Sequence, residues 1–109
     1  METQLSKQGV VTLLQEAFSY LQNEYGIARI ALYGSFAQDT ATDDSDVDLI
    51  VELSRPLGFE FVALAEHIES ILGRKVDLST FETLRRSMEN PRYRAIAREI
   101  SRTLTDVCA

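Results

Sequence analysis

The sequence predicts an α/β fold: a small mixed β-sheet packed with helices in a single domain covering residues 1–109. Three observations predict it. Three apolar, β-rich runs, IARIALY, DVDLIVEL and KVDLSTF, are separated by segments whose apolar residues recur at helical spacing. The chain has 109 residues, enough for one modest core. Its 45% hydrophobic and 26% charged residues are ordinary for a globular domain and argue against disorder.

Val10, Leu14, Phe18, Leu21 and Tyr25 recur every three or four residues, which predicts an amphipathic helix from about residue 6 to 25, stopped by Gly26. IARIALYG is long enough for one buried strand ending at Gly34. SFAQ has room only for a turn or the start of a helix, and TATDD reads as a polar loop. Asp46 to Leu53 predicts a second strand, closed by Ser54-Arg55-Pro56. Leu57, Phe61, Leu64, Ile68, Ile71 and Leu72 form the apolar stripe of a second helix, and Gly73 closes it. KVDLSTF predicts a third strand giving way to a short helix near Ser79, because Ser79 and Glu82 have capping-box spacing. Asn90-Pro91 starts a last helix, with Tyr93, Ile96, Ile100, Leu104 and Val107 as its buried stripe and Arg94, Arg98 and Arg102 on another, solvated face.

The net charge of −6 argues against indiscriminate nucleic-acid binding, which needs clustered Lys and Arg. Residues 1–73 carry 12 acids against 3 bases, and residues 74–109 carry 8 bases against 5 acids. The first part could hold cations, the second a phosphate tail or an acidic partner. No apolar stretch is long enough for a membrane span and the N-terminus lacks a signal-peptide design, so a cytoplasmic location is expected. A lone terminal Cys108 excludes a disulfide framework. With one histidine, His67, read as a helix-surface residue, a histidine triad or zinc site has little support.

The chemistry concentrates in GSFAQDTATDDSDVDLIVE, where six acids fall between residues 39 and 52 with no Lys or Arg among them. Asp39, Asp43 and Asp44 read as solvated loop residues. Strand alternation puts Asp46 and Asp48 on one face, about 7 Å apart, where they can share hard divalent cations. Asp77 supplies a third carboxylate. Both Asp48 and Asp77 are expected in buried strands, where an unpaired carboxylate is costly without a cation or hydrogen bonds. Gly34-Ser35 at a strand end could let a phosphate approach the backbone. A calcium loop starting at Asp44 fails, because its sixth position is Leu49 and its twelfth is Arg55.

Taken together, YGSFAQ, SDVDLIVEL and KVDLST, with NPRYRAIAREI as a C-terminal helix, resemble the minimal nucleotidyltransferase domains of the DNA polymerase beta superfamily. The resemblance covers nearly the whole chain and implies a polymerase beta-like palm. It implies that Gly34 and Ser35 bind the β and γ phosphates of a nucleoside triphosphate. It also implies that Asp46, Asp48 and Asp77 are catalytic and hold two Mg²⁺ ions, with ATP as substrate. Many small members are antitoxins that transfer AMP to a tyrosine of a HEPN-domain RNase toxin, so a hetero-oligomer with such a toxin is implied. The chain departs from the family pattern at Gln38-Asp39, where Arg-Gly is usual. That departure keeps a non-catalytic, binding-only antitoxin as the alternative, beside transfer to a small-molecule or RNA hydroxyl.

Overall fold

In a computed structural model, residues 5–108 are described, and they form a four-stranded sheet with helices on both faces. Helix α1 spans Lys7–Tyr25. The Ser6 hydroxyl caps it by accepting from the Gly9 N–H, and Gly26 ends it in the left-handed conformation at φ 72°. Strand β1 is Ile27–Tyr33 and runs straight into α2, the single turn Gly34–Ala37. After the loop come β2, Val47–Leu53, and α3, Glu60–Leu72. Strand β3, Val76–Thr80, then leads directly into α4, Phe81–Glu89. Helix α5, Arg94–Thr103, precedes a fourth strand, β4, Thr105–Cys108.

The sheet order is β3-β2-β1-β4. Strand β1 pairs antiparallel with both β2 and β4, whereas β2 and β3 run parallel because α3 carries the chain across between them. Alternation along β1 and β2 divides the core in two. Ile30, Leu32, Val47, Leu49 and Val51 pack with Val10, Leu14 and Leu21 of α1 and Leu64 and Ile68 of α3. Ala31 and Ile50 face the other way, against Phe81 and Leu84 of α4 and Ala97 of α5. None of the helices among the described residues is long and apolar enough to cross a membrane.

Several details differ from the sequence reading, beginning with the last helix, which starts at Arg94 with Tyr93 as its N-cap and not at Asn90-Pro91. The last helix ends at Thr103, and Val107, read as part of its stripe, is in β4, where Asp106 pairs in register with Ala31. Thr-Leu-Thr-Asp-Val is compatible with either state, and the open edge of β1 decides it. Tyr93 and Ile96, expected to be buried, are 47% and 64% exposed, because Ala97 points at the sheet instead. The N-cap of α4 is Thr80, whose hydroxyl accepts from the Thr83 N–H, and not Ser79. Arg94 does not join a solvated row: it is half-buried and its Nε donates to the Met88 carbonyl, 2.9 Å away.

Candidate active site

The sheet's register brings the carboxylates together. Tyr33 is the Cα partner of Asp48 across β1 and β2, and Asp48 is the partner of Asp77 across β2 and β3. Residues directly opposite one another share a face, so Tyr33, Asp48 and Asp77 form one row across three strands, on the α4–α5 side of the sheet. Asp46 lies one residue ahead of β2, in the loop rather than at the strand's leading edge as predicted. Asp46 and Asp77 both push the Asp48 carboxyl upward electrostatically, after the larger effect of its burial.

The row is less enclosed than the sequence suggests. Asp48 is half-buried and Asp77 is exposed. Strand β3 is parallel to β2 and stands at the edge of the sheet, so Asp77 meets protein on one side only. The expectation that Asp77 sits in a buried strand is therefore corrected: an apolar KVDL run reads as interior, but strand order decides which strand is an edge. Asp39, Asp43 and Asp44 are exposed, as the loop reading expects.

Gly34 joins the row from below. Its φ is 74°, a conformation that L side chains rarely adopt. A β-carbon there would overlap the Asp48 carboxylate and stand 3.1 Å from its Cγ. The glycine thus serves both the turn and the close approach of Asp48. Ser35 follows in α2, half-buried, with its carbonyl accepting from the Thr40 N–H at 2.9 Å. The Tyr33 phenol is pushed to a higher pKa by burial, with the charges of Asp77 and Asp48 adding to it and the Ser79 hydroxyl acting the other way.

The donor set is suited to a divalent cation in an open site. Among the described residues, none of the ion pairs engages Asp46, Asp48 or Asp77. No three Asp, Glu, His or Cys side chains among the described residues converge into a ready-made coordination sphere. Mg²⁺ ordinarily takes one or two carboxylates and completes its shell with water and substrate phosphates, which is the kind of site these residues can make.

Two residues that sequence reasoning missed hold this arrangement in place. Arg74, in the α3–β3 turn, donates from Nη1 to the carbonyls of Thr42, Asp43 and Ser45 at 3.0, 3.1 and 2.9 Å. Its guanidinium also lies 5.4 Å from the Phe36 ring centroid of α2. One side chain therefore ties the loop that delivers Asp46 to the helix that carries Ser35. Glu69 of α3 accepts from the Val76 N–H at 3.0 Å, fixing the start of β3 one residue before Asp77. An Arg directly after the helix-ending Gly73 is the one sequence signal that could have pointed to the first contact. At Asp39 the backbone is left-handed, φ 60°, a conformation that glycine adopts more readily than aspartate.

The fold is that of a nucleotidyltransferase. The chain belongs to the nucleotidyltransferase domain family, whose family model matches residues 14–104. It is 38% identical over 82 residues to a Methanocaldococcus jannaschii protein provisionally named protein adenylyltransferase MJ1379, covering 72% of this chain and 78% of that one. It is 28% identical over 97 residues to protein adenylyltransferase MntA of Thermococcus cleftensis, covering 88% and 94% of the two chains. In fold it is similar to a solved structure provisionally described as a minimal nucleotidyltransferase, with TM-score 0.69, 24% identity, and 95% and 98% of the chains covered. It is also similar to a tri-AMPylated Shewanella oneidensis HEPN toxin in complex with its MNT antitoxin, with TM-score 0.53, 17% identity, and 93% and 67% coverage. The predicted family, mixed-sheet fold and enzyme class are borne out.

Proposed function

We propose that this nucleotidyltransferase is a Mg²⁺-dependent protein adenylyltransferase and antitoxin, moving AMP from ATP onto a tyrosine hydroxyl of a HEPN-domain RNase toxin. The observation that carries the reading is the row of Tyr33, Asp48 and Asp77 with Gly34 closed beneath it. The relatives named adenylyltransferases support the AMP transfer, and the HEPN–MNT complex supports the partner.

Gly34 and Ser35 would hold the β and γ phosphates, where the absent side chain at 34 leaves the backbone open to close approach. Asp46, Asp48 and Asp77 would hold Mg²⁺, which when bound neutralises phosphate charge and makes an acceptor hydroxyl easier to deprotonate. Asp77, exposed at the edge strand, would take the proton of the acceptor. The acceptor oxygen bonds to the α-phosphorus while the bond from that phosphorus to the bridging oxygen breaks. Pyrophosphate leaves on the Gly34–Ser35 side. Arg74 acts through position alone, holding the Asp46 loop against α2.

The test is to incubate the protein with ATP, Mg²⁺ and the protein encoded beside it, then weigh that neighbour intact. The reading expects one or more added AMP masses, lost when Asp46→Asn and Asp48→Asn are combined. An unmodified neighbour, or equal modification by the double variant, overturns it. The second reading, neutralisation by binding alone, is favoured by Gln38-Asp39, which puts an acid where the family resemblance leads one to expect Arg-Gly. Undiminished protection of cells by the double variant would select it.

A further inference from the structure

Beside the carboxylate row lies a cavity of about 170 Å³ between the sheet and helices α4 and α5. Its floor begins at Tyr33 in the row itself and continues over Ile50 and Ser79. Those two residues stand two positions beyond Asp48 and Asp77 and pair with each other in register, so they occupy the same sheet face. Ser87 of α4 forms part of the roof, and Tyr93 and Ile96, the two large apolar side chains that α5 and its cap leave exposed, form the rim. The cavity thus opens outward through an apolar lip and reaches the row at Tyr33, with Ile50 and Ser79 one strand repeat along the same face from Asp48 and Asp77.

We infer that this cavity receives the aromatic ring of the acceptor tyrosine, with its hydroxyl directed at Asp77. The inference rests on the proposed transfer reaction and names where the acceptor lies. In-line displacement puts the attacking oxygen and the leaving pyrophosphate on opposite sides of the α-phosphorus. With pyrophosphate assigned to Gly34–Ser35 at the end of β1, the acceptor must approach from the β3 side, where Asp77 and Ser79 stand. The cavity is also the right size for one ring and small for the two rings of a purine, since a cavity of about 150 Å³ admits benzene. One strand repeat separates Ser79 from Asp77, about 7 Å, comparable to the length of a tyrosine side chain. Tyr93 and Ile96 then meet the partner's backbone around that tyrosine, which explains two large apolar groups left in solvent beside the site.

The test separates the acceptor from the nucleotide. Ser87→Trp fills the cavity from its roof, and Ile96→Asp alters only the exposed rim. Each variant is assayed for AMP transfer to the neighbouring toxin, once varying the toxin at saturating ATP and once varying ATP at saturating toxin. The expected result is a KM for toxin raised about tenfold or more in both variants, with KM for ATP within about twofold of the parent. A rise in KM for ATP instead assigns the cavity to the nucleobase and overturns the inference, as does no change in either constant. If the parent transfers no AMP, the transfer reading has failed and the cavity is tested by itself with N-acetyltyrosinamide as probe. Shifts of the Tyr33 and Ser79 amide resonances that Ser87→Trp abolishes support an aromatic-ring site, and their absence overturns it.

Discussion

Gly34 lies directly against the carboxylate of Asp48: a β-carbon at position 34 would stand 3.1 Å from Asp48 Cγ and overlap its oxygen, in a backbone already at φ 74°. The turn and the carboxylate are therefore one unit. Gly34→Ala has to bear a left-handed alanine, costing about 1–2 kcal/mol, and must displace Asp48 as well. The expected outcome is a lowered melting temperature together with loss of AMP transfer. Gln38→Ala, exposed at the end of the same turn, should leave melting unchanged. Thermal denaturation and intact mass measure both.

Asp48 should make the metal-free protein less stable as pH rises. Its folded pKa is raised above the ordinary 3.8 by burial and by Asp77 and Asp46, so the folded state holds that proton more tightly than the unfolded chain. Its stabilising contribution is fully present below the ordinary value and is lost as pH rises through the folded pKa. Without Mg²⁺, Asp48→Asn should melt higher than the parent at neutral pH, and the difference should shrink toward acidic pH. Added Mg²⁺ should stabilise the parent more than the variant. Melting curves across pH, with and without the ion, decide it.

Arg74 touches neither phosphate nor acceptor in the proposed reaction, yet Arg74→Ala should slow transfer. It releases three carbonyls of the 42–45 loop, each bonded at 2.9–3.1 Å, and frees Asp46 from its register with α2. Bonds from a charged donor contribute about 1.5–3 kcal/mol each when well buried, and these are largely exposed, so a net loss of about 1–2 kcal/mol is expected. Arg74→Lys, which keeps a charged donor with several protons, should restore most of the stability but less of the rate. Single-turnover transfer measured beside denaturant melts distinguishes the two effects.

Asp39 occupies a left-handed position at φ 60°. Asp39→Gly removes that strain and should raise the melting temperature slightly, whereas Asp39→Ala should cost about 1 kcal/mol of stability. The pair Gln38→Arg with Asp39→Gly also exchanges an acid for a cation beside the phosphate turn and should lower KM for ATP. An unchanged KM would mean that this turn does not reach the triphosphate.

Much of this is written in the chain. Periodicity places α1, β1, β2 and α3 within a few residues, because their apolar stripes are long and Gly26 and Gly73 end the helices in left-handed conformations. The family resemblance carried by Gly34-Ser35, Asp46, Asp48 and Asp77 names these residues as the candidate site before any coordinates. The C-terminal segment reads poorly. Tyr93, Ile96 and Val107 keep helical spacing, yet Ala97 takes the buried place and Val107 leaves the helix for β4.

The sequence by itself determines which groups are available for the chemistry: a glycine-serine turn, three aspartates, and a hydrophobic pattern that lets strands carry them. Local spacing fixes these because strand alternation and helix stops act within a few residues. Tertiary structure alone decides that Asp77 pairs with Asp48 from an exposed edge strand, that Tyr33 completes their row, and that Arg74 binds a loop some thirty positions away. Those relations depend on strand order and on the crossover through α3, which are set by how the two cores pack and leave no mark in the residues nearby.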